Sequence, residues 1–156
     1  EQRPSFYLAE LVAGQYPTIP EVQRERYFAV LDGYVRIAFN RDAVPFAKFQ
    51  NSPTFRATEL RQRYLVPKAA ARFTTDWIYD DFKVRNQSFF ALHNVVIDLD
   101  VTQADKTTKA SVRATELAPE AELYVLEFNI KKHAGAVHVQ GVVTADEGKA
   151  AWQQRL

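Results

Sequence analysis

The chain contains no cysteine. It therefore has no disulfide, no thiolate metal ligand and no cysteine nucleophile. Its five glycines never cluster, which excludes a glycine-rich phosphate-binding loop, and the GxSxG and HExxH motifs are absent too. Three histidines are the only imidazoles available for metal binding or acid–base chemistry. We expect neither a metal site nor a cofactor.

Methionine is also absent, even at the first position. We therefore expect a processed product, either a mature secreted protein or a soluble domain cut from a membrane anchor. No apolar run approaches the roughly 20 residues of a membrane span, and the sequence carries no signal peptide. The predicted location is periplasmic or otherwise extracytoplasmic, with the cytoplasm as the alternative. Contact with a membrane would come only through an upstream anchor.

Neither sign of charge dominates, since 20 basic residues balance 19 acidic ones for a net charge of +1. Such a chain has no overall field to attract nucleic acid, so we expect no nucleic-acid partner. Apolar and aromatic residues are plentiful, at 47% and 13% of the chain. With 156 residues, this supply predicts a packed core and argues against disorder.

Prolines punctuate residues 1–19, which are interpreted as an N-terminal arm with a short strand or helical turn around Phe6–Val12. Residues 20–156 are predicted to form a single domain. Apolar residues recur at helical spacing from Glu21 to about Phe39, which predicts a helix. A second helical region is expected from about Thr54 to Phe82, and Pro67 should either kink it or start a new segment, because proline lacks a backbone donor.

After Asn86 the apolar residues alternate with a period of two, which is typical of strands. A tight turn is expected at Ala104–Lys106, and a short terminal helix anchored by Trp152. The order predicts an α+β fold, with N-terminal helices packed on a curved antiparallel sheet of about four strands. The predicted strands are Gln87–Val101, Thr107–Leu117, Leu123–Lys131 and Ala136–Val143.

Residues 74–82, TTDWIYDDF, mix carboxylates with aromatic rings and raise the question of a catalytic pocket. On the predicted helix most of these acids fall on a solvated edge, and Asp81 alone lies near the apolar face. His93 falls on the apolar face of the first long strand, where it could be a neutral general base or a hydrogen-bonded core histidine.

The order of two helices followed by four strands resembles the NTF2-like or cystatin-like superfold. Some proteins of this shape use the cone between sheet and helices as a pocket for isomerase or dehydratase chemistry on small apolar molecules. Others fill the cone and act as assembly modules, among them the periplasmic domains of VirB8-type and TraE-type secretion and conjugation proteins. The missing methionine, the lack of a converging acid–base set and the many bulky rings favour the second kind.

The leading hypothesis is therefore a non-enzymatic interaction module within a membrane-linked assembly, with self-association as one form of the contact. It predicts that other proteins contact an exposed arm and a basic helix edge, and that deleting residues 1–16 weakens assembly but leaves a folded domain. The predicted partner-binding residues are Phe6, Tyr7, Leu8, Arg61, Lys68 and Arg72.

The alternative hypothesis is a pocket protein that binds, isomerises or dehydrates an apolar small molecule. Asp81, His93 and Tyr34 would line its cone, with Asp81 buried and acting as the base.

Overall fold

A computed structural model describes residues 4–75, 80–126 and 135–156. Helices come first and antiparallel sheets follow, so the predicted α+β class is confirmed. The chain divides into two compact units, Glu1–Val66 and Pro67–Leu156. The first unit contains the helices and the second contains the strands.

Within residues 4–66, the structure has four α-helices and three short 3₁₀ turns. The helices are α1 (Pro4–Gly14), α2 (Arg24–Asn40), α3 (Phe46–Asn51) and α4 (Thr58–Tyr64). The 3₁₀ turns are Tyr16–Thr18, Glu21–Gln23 and Thr54–Arg56.

Residues 4–14, where a short strand or helical turn was predicted, form a helix of 11 residues that contributes to the core of this unit. One side of α1 is buried, comprising Phe6, Ala9 and Ala13. The Tyr27 hydroxyl donates a hydrogen bond to the Val12 carbonyl, and burial raises the pKa of Tyr27 to about 12. The α1 side chain Glu10 accepts a hydrogen bond of 2.5 Å from the Ser52 hydroxyl. These contacts tie α1 to α2 and to the end of α3.

The predicted helix over Glu21–Phe39 is confirmed as α2, preceded by one 3₁₀ turn. Its buried side is rotated relative to the expected stripe, because Phe28 and Val35 pack inward. Val30, expected inside, is 54% exposed, and Tyr34 is half-buried. The Phe28 ring stacks on the Tyr16 ring, with 5.6 Å between their centroids, and this contact covers the side of α2 that carries Phe28.

The predicted kinked helix from Thr54 to Phe82 is wrong beyond Tyr64, where α4 ends. The chain instead forms β1 (Ala69–Thr75) and β2 (Asp80–Asn86), which pair antiparallel. Of the two outcomes predicted for Pro67, the start of a new segment is confirmed and the kink is wrong, because Pro67 separates a helix from a strand. Residues 76–79, at the centre of the TTDWIYDDF segment, lie outside the described residues.

Five more strands lie in the described part of the second unit: β3 (Leu92–Gln103), β4 (Lys106–Leu117), β5 (Glu122–Tyr124), β6 (His138–Ala145) and β7 (Gly148–Arg155). Among the described strands, one sheet has the order β1-β2-β5 and the other has the order β4-β3-β6-β7. The single sheet of about four strands is thus corrected to two sheets. The predicted turn between β3 and β4 is confirmed, since Ala104 and Asp105 both have positive φ, as two-residue hairpins require.

The other predicted strands shift at their ends. The first begins at Leu92 rather than Gln87, and the last begins at His138 and reaches Ala145. The strand expected over Leu123–Lys131 is described only as β5 and the two residues that follow it, because residues 127–134 lie outside the description.

The predicted terminal helix is wrong, because residues 148–155 pair along β6 as β7. Trp152 stands directly opposite Gly141, and a Cβ atom at Gly141 would lie 2.3 Å from the indole ring. The absence of a side chain at Gly141 makes room for the ring. Trp152 is therefore an anchor, as expected, but within a sheet.

The two sheets meet at both ends, since β7 contacts β1 and β4 contacts β5. At the junction of β7 with β1, the Gln154 side chain forms the hydrogen bonds that a neighbouring strand would otherwise form. Its amide accepts a hydrogen bond of 2.8 Å from the Ala71 N–H and donates one of 2.9 Å to the Ala71 carbonyl. One side chain thus satisfies both polar groups of a residue on β1, the edge strand of its sheet.

Asn86 holds the other side of this unit together and is fully buried. Its amide nitrogen donates hydrogen bonds to the carbonyls of Phe90, Leu117 and Ala118 at 3.1, 2.9 and 3.3 Å. Its side-chain oxygen accepts from the Ser88 N–H at 2.9 Å. The end of β2 is thereby fixed to the end of β4.

Replacing Asn86 with leucine should therefore lower the free energy of unfolding by about 2–4 kcal/mol, because buried backbone groups lose their partners. Chemical denaturation followed by circular dichroism measures the change. The matched control is Gln87→Leu, since the neighbouring Gln87 side chain is exposed and should tolerate the change within about 0.5 kcal/mol. Equal stabilities of the two variants would contradict the role assigned to Asn86.

Candidate functional site

The three residues proposed for a catalytic pocket occupy separate parts of the fold. Tyr34 is half-buried on α2 of the first unit. Asp81 lies on β2, with a side chain 36% exposed and 3.6 Å from the Lys83 ammonium. His93 lies on β3 in the other sheet, with a side chain 51% exposed. The expected burial of Asp81 is therefore wrong, and Asp81 and His93 are placed on different sheets.

His93 faces outward because the alternation of β3 breaks at the next residue. Asn94 has a φ of +51°, and as a result Leu92 and Val95 are both buried although they are three positions apart. The expected apolar face begins only at Val95. The expectation that His93 lies on it is wrong.

The His93 ring contacts carboxylates rather than a pocket. Its Nδ1 lies 2.9 Å from Oε1 of Glu147, which also accepts a hydrogen bond of 2.5 Å from the His93 N–H. The Glu147 side chain is only 5% exposed, and Glu116 lies 3.9 Å from Nε2 on the other side. A second bond joins Asn94 to Asp146 at 2.7 Å. These contacts fasten the start of β3 to the turn between β6 and β7.

The predicted contact residues of the arm divide between the two sides of α1. Phe6 is 5% exposed and packs edge-on against Phe49, so its expected exposure is wrong. Tyr7 and Leu8 are exposed, at 47% and 40%. Leu11, which sequence reasoning missed, is 65% exposed and stands one helical turn after Tyr7. The signal for Leu11 was its position four residues after Tyr7, which places both side chains on one side of a helix. It would have been recognised if residues 4–14 had been interpreted as a helix.

Tyr7, Leu8 and Leu11 are named here the α1 outer face. They form one apolar surface, because Leu11 lies four positions after Tyr7 and three after Leu8, the two spacings at which side chains are neighbours on a helix.

The basic helix edge predicted for Arg61, Lys68 and Arg72 is wrong, because the helix ends before Lys68. Arg61 is exposed on α4 of the first unit, whereas the other two belong to the second. The Lys68 ammonium lies 5.9 Å from the centre of the Phe89 ring. Arg72 lies on β1 and forms an ion pair with Glu122 at 3.2 Å.

Glu122 is the centre of a charge cluster on the three-stranded sheet. It receives hydrogen bonds from Arg85 at 2.5 and 3.1 Å, and Lys83 lies 3.6 Å away. The hydrogen bond from Arg85 and the charges of Arg85, Arg72 and Lys83 hold the pKa of Glu122 below its ordinary value. The carboxylate thus joins cations from β1 and β2 to β5. This arrangement is structural in character, since each charge already has a partner.

The four-stranded sheet carries an open groove of about 590 Å³ on its surface. Asp100 pairs with Lys109 at 3.1 Å, and Gln140 stands opposite Gln153 in register. The groove combines charged and amide side chains with the apolar residues Val142, Ala151 and Trp152, so its lining is mixed in polarity and in charge. Its lining residues are Asp98, Asp100, Lys109, Gln140, Gly141, Val142, Ala151, Trp152 and Gln153.

Within residues 4–75, 80–126 and 135–156, no group of three or more histidine, aspartate or glutamate side chains is placed to hold a metal ion. None of the helices in these ranges has the length and apolar character needed to cross a membrane.

Comparison with known proteins adds no family. No family model matches the chain, and no curated protein sequence matches it.

The Glu122 cluster predicts how stability responds to acid. Because the pKa of Glu122 is lower in the folded state, its contribution is present above the ordinary glutamate pKa of about 4.3 and is lost as the pH falls below it. The unfolding free energy of the wild type should therefore decline more steeply below about pH 4.3 than that of Glu122→Gln. Urea denaturation at several pH values measures both slopes. Parallel curves for wild type and Glu122→Gln would contradict the prediction.

Proposed function

We propose that the chain is a non-enzymatic assembly module that contacts other proteins through the α1 outer face. The observation that carries this proposal is the composition of α1, PSFYLAELVAG, which is apolar around its whole circumference but covered on one side only. A helix that is hydrophobic on all sides is normally buried on all sides.

The single charged residue of α1 does not make its outer side polar. Glu10 is directed to the Ser52 hydroxyl and is half-buried. Tyr7, Leu8 and Leu11 therefore present adjoining apolar side chains to solvent, and grouped surfaces of this kind mark sites of protein contact more often than single exposed residues do. A tyrosine beside two leucines also suits an interface, because its ring is apolar and its hydroxyl can be hydrogen-bonded at the rim.

The partner that fits this face is a protein with an apolar groove or helix. The face has no charge with which to bind a phosphate or a basic surface, so recognition would come from burial of apolar area at about 25 cal/mol per Å². Polar residues around the partner's groove would supply specificity.

A more specific form of the proposal places the chain in a membrane-anchored type IV secretion or conjugation assembly, as its extracytoplasmic domain. Its support is the resemblance in element order to the NTF2-like assembly modules. The α2 helix and the succession of helices and strands agree with that order. The second predicted helix does not, because its latter half is β1 and β2.

The alternative, a pocket protein for an apolar small molecule, has less support. Its proposed residues Asp81 and His93 lie on different sheets, and each is at least a third exposed. Its test is titration with an apolar fluorescent dye, in which saturable binding that Asp81→Leu abolishes would favour the pocket over the assembly module.

The assembly proposal predicts the behaviour of Tyr7→Ser/Leu11→Ser. Loss of two apolar contacts, each costing about 1–2 kcal/mol, should weaken capture of the partner roughly tenfold or more. The protein should remain folded, because both side chains point away from the core. The measurement is crosslinking and quantitative co-purification of tagged protein from its own cells, with circular dichroism to verify folding.

Val22→Ser is the matched control, since Val22 is an isolated apolar residue in the same unit and is 91% exposed. It should capture as much partner as the wild type. The proposal fails if the double variant captures partners undiminished, or if the wild type captures none. Deletion of residues 1–16 is a poor test, because it would also remove Phe6, Ala9 and Ala13 from the core.

A further inference from the structure

The solvent-facing side of the four-stranded sheet carries a row of polar side chains that crosses all of its strands. Strand register places Gln153, Gln140, Asp100 and Lys109 side by side, one on each strand in the order β7-β6-β3-β4. Neighbouring members of such a row are about 4.8 Å apart, which is the spacing between strands. We name these four residues the polar row. All of them line the groove of about 590 Å³.

A second row of shorter side chains lies beside the polar row, two residues along each strand. It consists of Ala151, Val142 and Asp98, which also stand opposite one another in register and line the same groove. The two rows are roughly 6.6 Å apart. Because alanine and valine are shorter than glutamine, the second row forms a lower and mostly apolar strip. The groove is therefore amphipathic, with long polar side chains along one side and short apolar ones along the other.

Most polar groups of the groove are available to a ligand. Within the ranges that the structure describes, the side chains of Asp98, Gln140 and Gln153 form no hydrogen bond or ion pair, and all three are exposed. Asp100 is already paired with Lys109 at 3.1 Å. A glutamine amide both donates and accepts hydrogen bonds, whereas a carboxylate accepts and an ammonium donates. The groove thus presents donors and acceptors in one continuous line.

The charges around the groove argue against an ionic ligand. The groove itself contains two carboxylates and one ammonium, and Arg113 stands diagonally across from Asp98, two residues beyond its register partner Ser111. These charges sum to about zero, so neither a cation nor an anion gains a net attraction. An apolar ligand would cover amide and carboxylate groups without giving them hydrogen bonds. The ligand that fits is neutral and rich in hydrogen-bonding groups.

The sheet topology distinguishes a sugar from an extended peptide, which is also neutral and polar. Peptides that bind to sheets do so at an edge strand, where backbone N–H and C=O groups are unpaired. The groove lies over β3 and β6, and each of these strands is paired on both sides. Recognition therefore depends on side chains. A pyranose ring suits this groove, because its C–H surface is apolar while its hydroxyl groups both donate and accept hydrogen bonds.

We infer that this groove binds a neutral saccharide, with the sugar rings lying across the strands. The C–H surface of the rings packs on Val142 and Ala151, and the hydroxyl groups form hydrogen bonds with Gln140, Gln153 and Asp98. The inference goes beyond the proposed function and does not rest on it, because the groove belongs to the second unit and the α1 outer face to the first.

The test is an NMR titration of the isotope-labelled full chain with maltotetraose, cellotetraose and chitotetraose as probes. The side-chain amide signals of Gln140 and Gln153 should shift and saturate with at least one of these oligosaccharides. The loss of one signal in each of Gln140→Leu and Gln153→Leu assigns the two amides. The side-chain amide of Gln62, exposed on α4 of the first unit, is the internal reference and should not move.

The variants measure how much each side chain contributes to binding. Gln140→Leu should weaken binding roughly fivefold and Asp98→Leu roughly tenfold, because hydrogen bonds to a carboxylate are stronger than those to an amide. Gln62→Leu is the matched control and should bind like the wild type. All three replacements are at exposed positions, so the protein should remain folded, and the dispersion of the backbone amide signals verifies this.

The inference is overturned if none of the three oligosaccharides moves the two amide signals up to its solubility limit. It is also overturned if Gln140→Leu and Asp98→Leu bind as tightly as the wild type. Stronger shifts of the same signals by spermine or by capped tetraglycine than by every sugar would contradict it too, since the groove would then take a cation or a peptide. None of these results bears on the α1 outer face, which is tested by capture of a partner protein.

Discussion

The packing of α1 against its neighbours is the contact on which the helical unit and the functional proposal both depend. Phe6, Ala9 and Ala13 fill the side that faces the core, and the hydrogen bond from Tyr27 to the Val12 carbonyl fixes the end of the helix. Once that side is committed, the periodicity of a helix leaves Tyr7, Leu8 and Leu11 no direction except outward. The same contacts that stabilise the unit therefore create its exposed apolar face.

In the second unit, the edge strands of two sheets present backbone N–H and C=O groups that lack a neighbouring strand. Side-chain amides bind some of these backbone groups. The Gln154 amide is hydrogen-bonded to both the N–H and the carbonyl of Ala71, and the Asn86 amide donates to three backbone carbonyls. The ion pairs of Glu122 join all three strands of the smaller sheet. The prominent polar clusters of this unit thus connect strands to one another.

Long periodic segments were predictable, and short ones were not. The period of α2 runs over 17 residues and identified it, although Phe28 and Val35 rotated its buried side. The segment AAARFTT suits either a helix or a strand over so few residues, and pairing with β2 decides for the strand. The tail GKAAWQQR contains good helix formers, but its pairing with β6 outweighs that preference.

Candidate site residues were harder to place, because their positions depend on details of the backbone. A positive φ at Asn94 turns His93 outward, and no periodic pattern shows such a reversal in advance. Lys68 and Arg72 lost their helical neighbours when the helix ended at Tyr64. The exposed pair of Tyr7 and Leu8 was foreseen, whereas the burial of Phe6 follows only from the aromatic contact with Phe49.

Photocrosslinking from the α1 outer face tests the central claim most directly. A photoreactive phenylalanine analogue is placed at Leu11, or at Val22 as the reference position, and the protein is irradiated in its own cells. A discrete crosslinked protein from position 11 and none from position 22 is the predicted result. Equal labelling from both positions, or none from position 11 when the protein is folded and abundant, would contradict it.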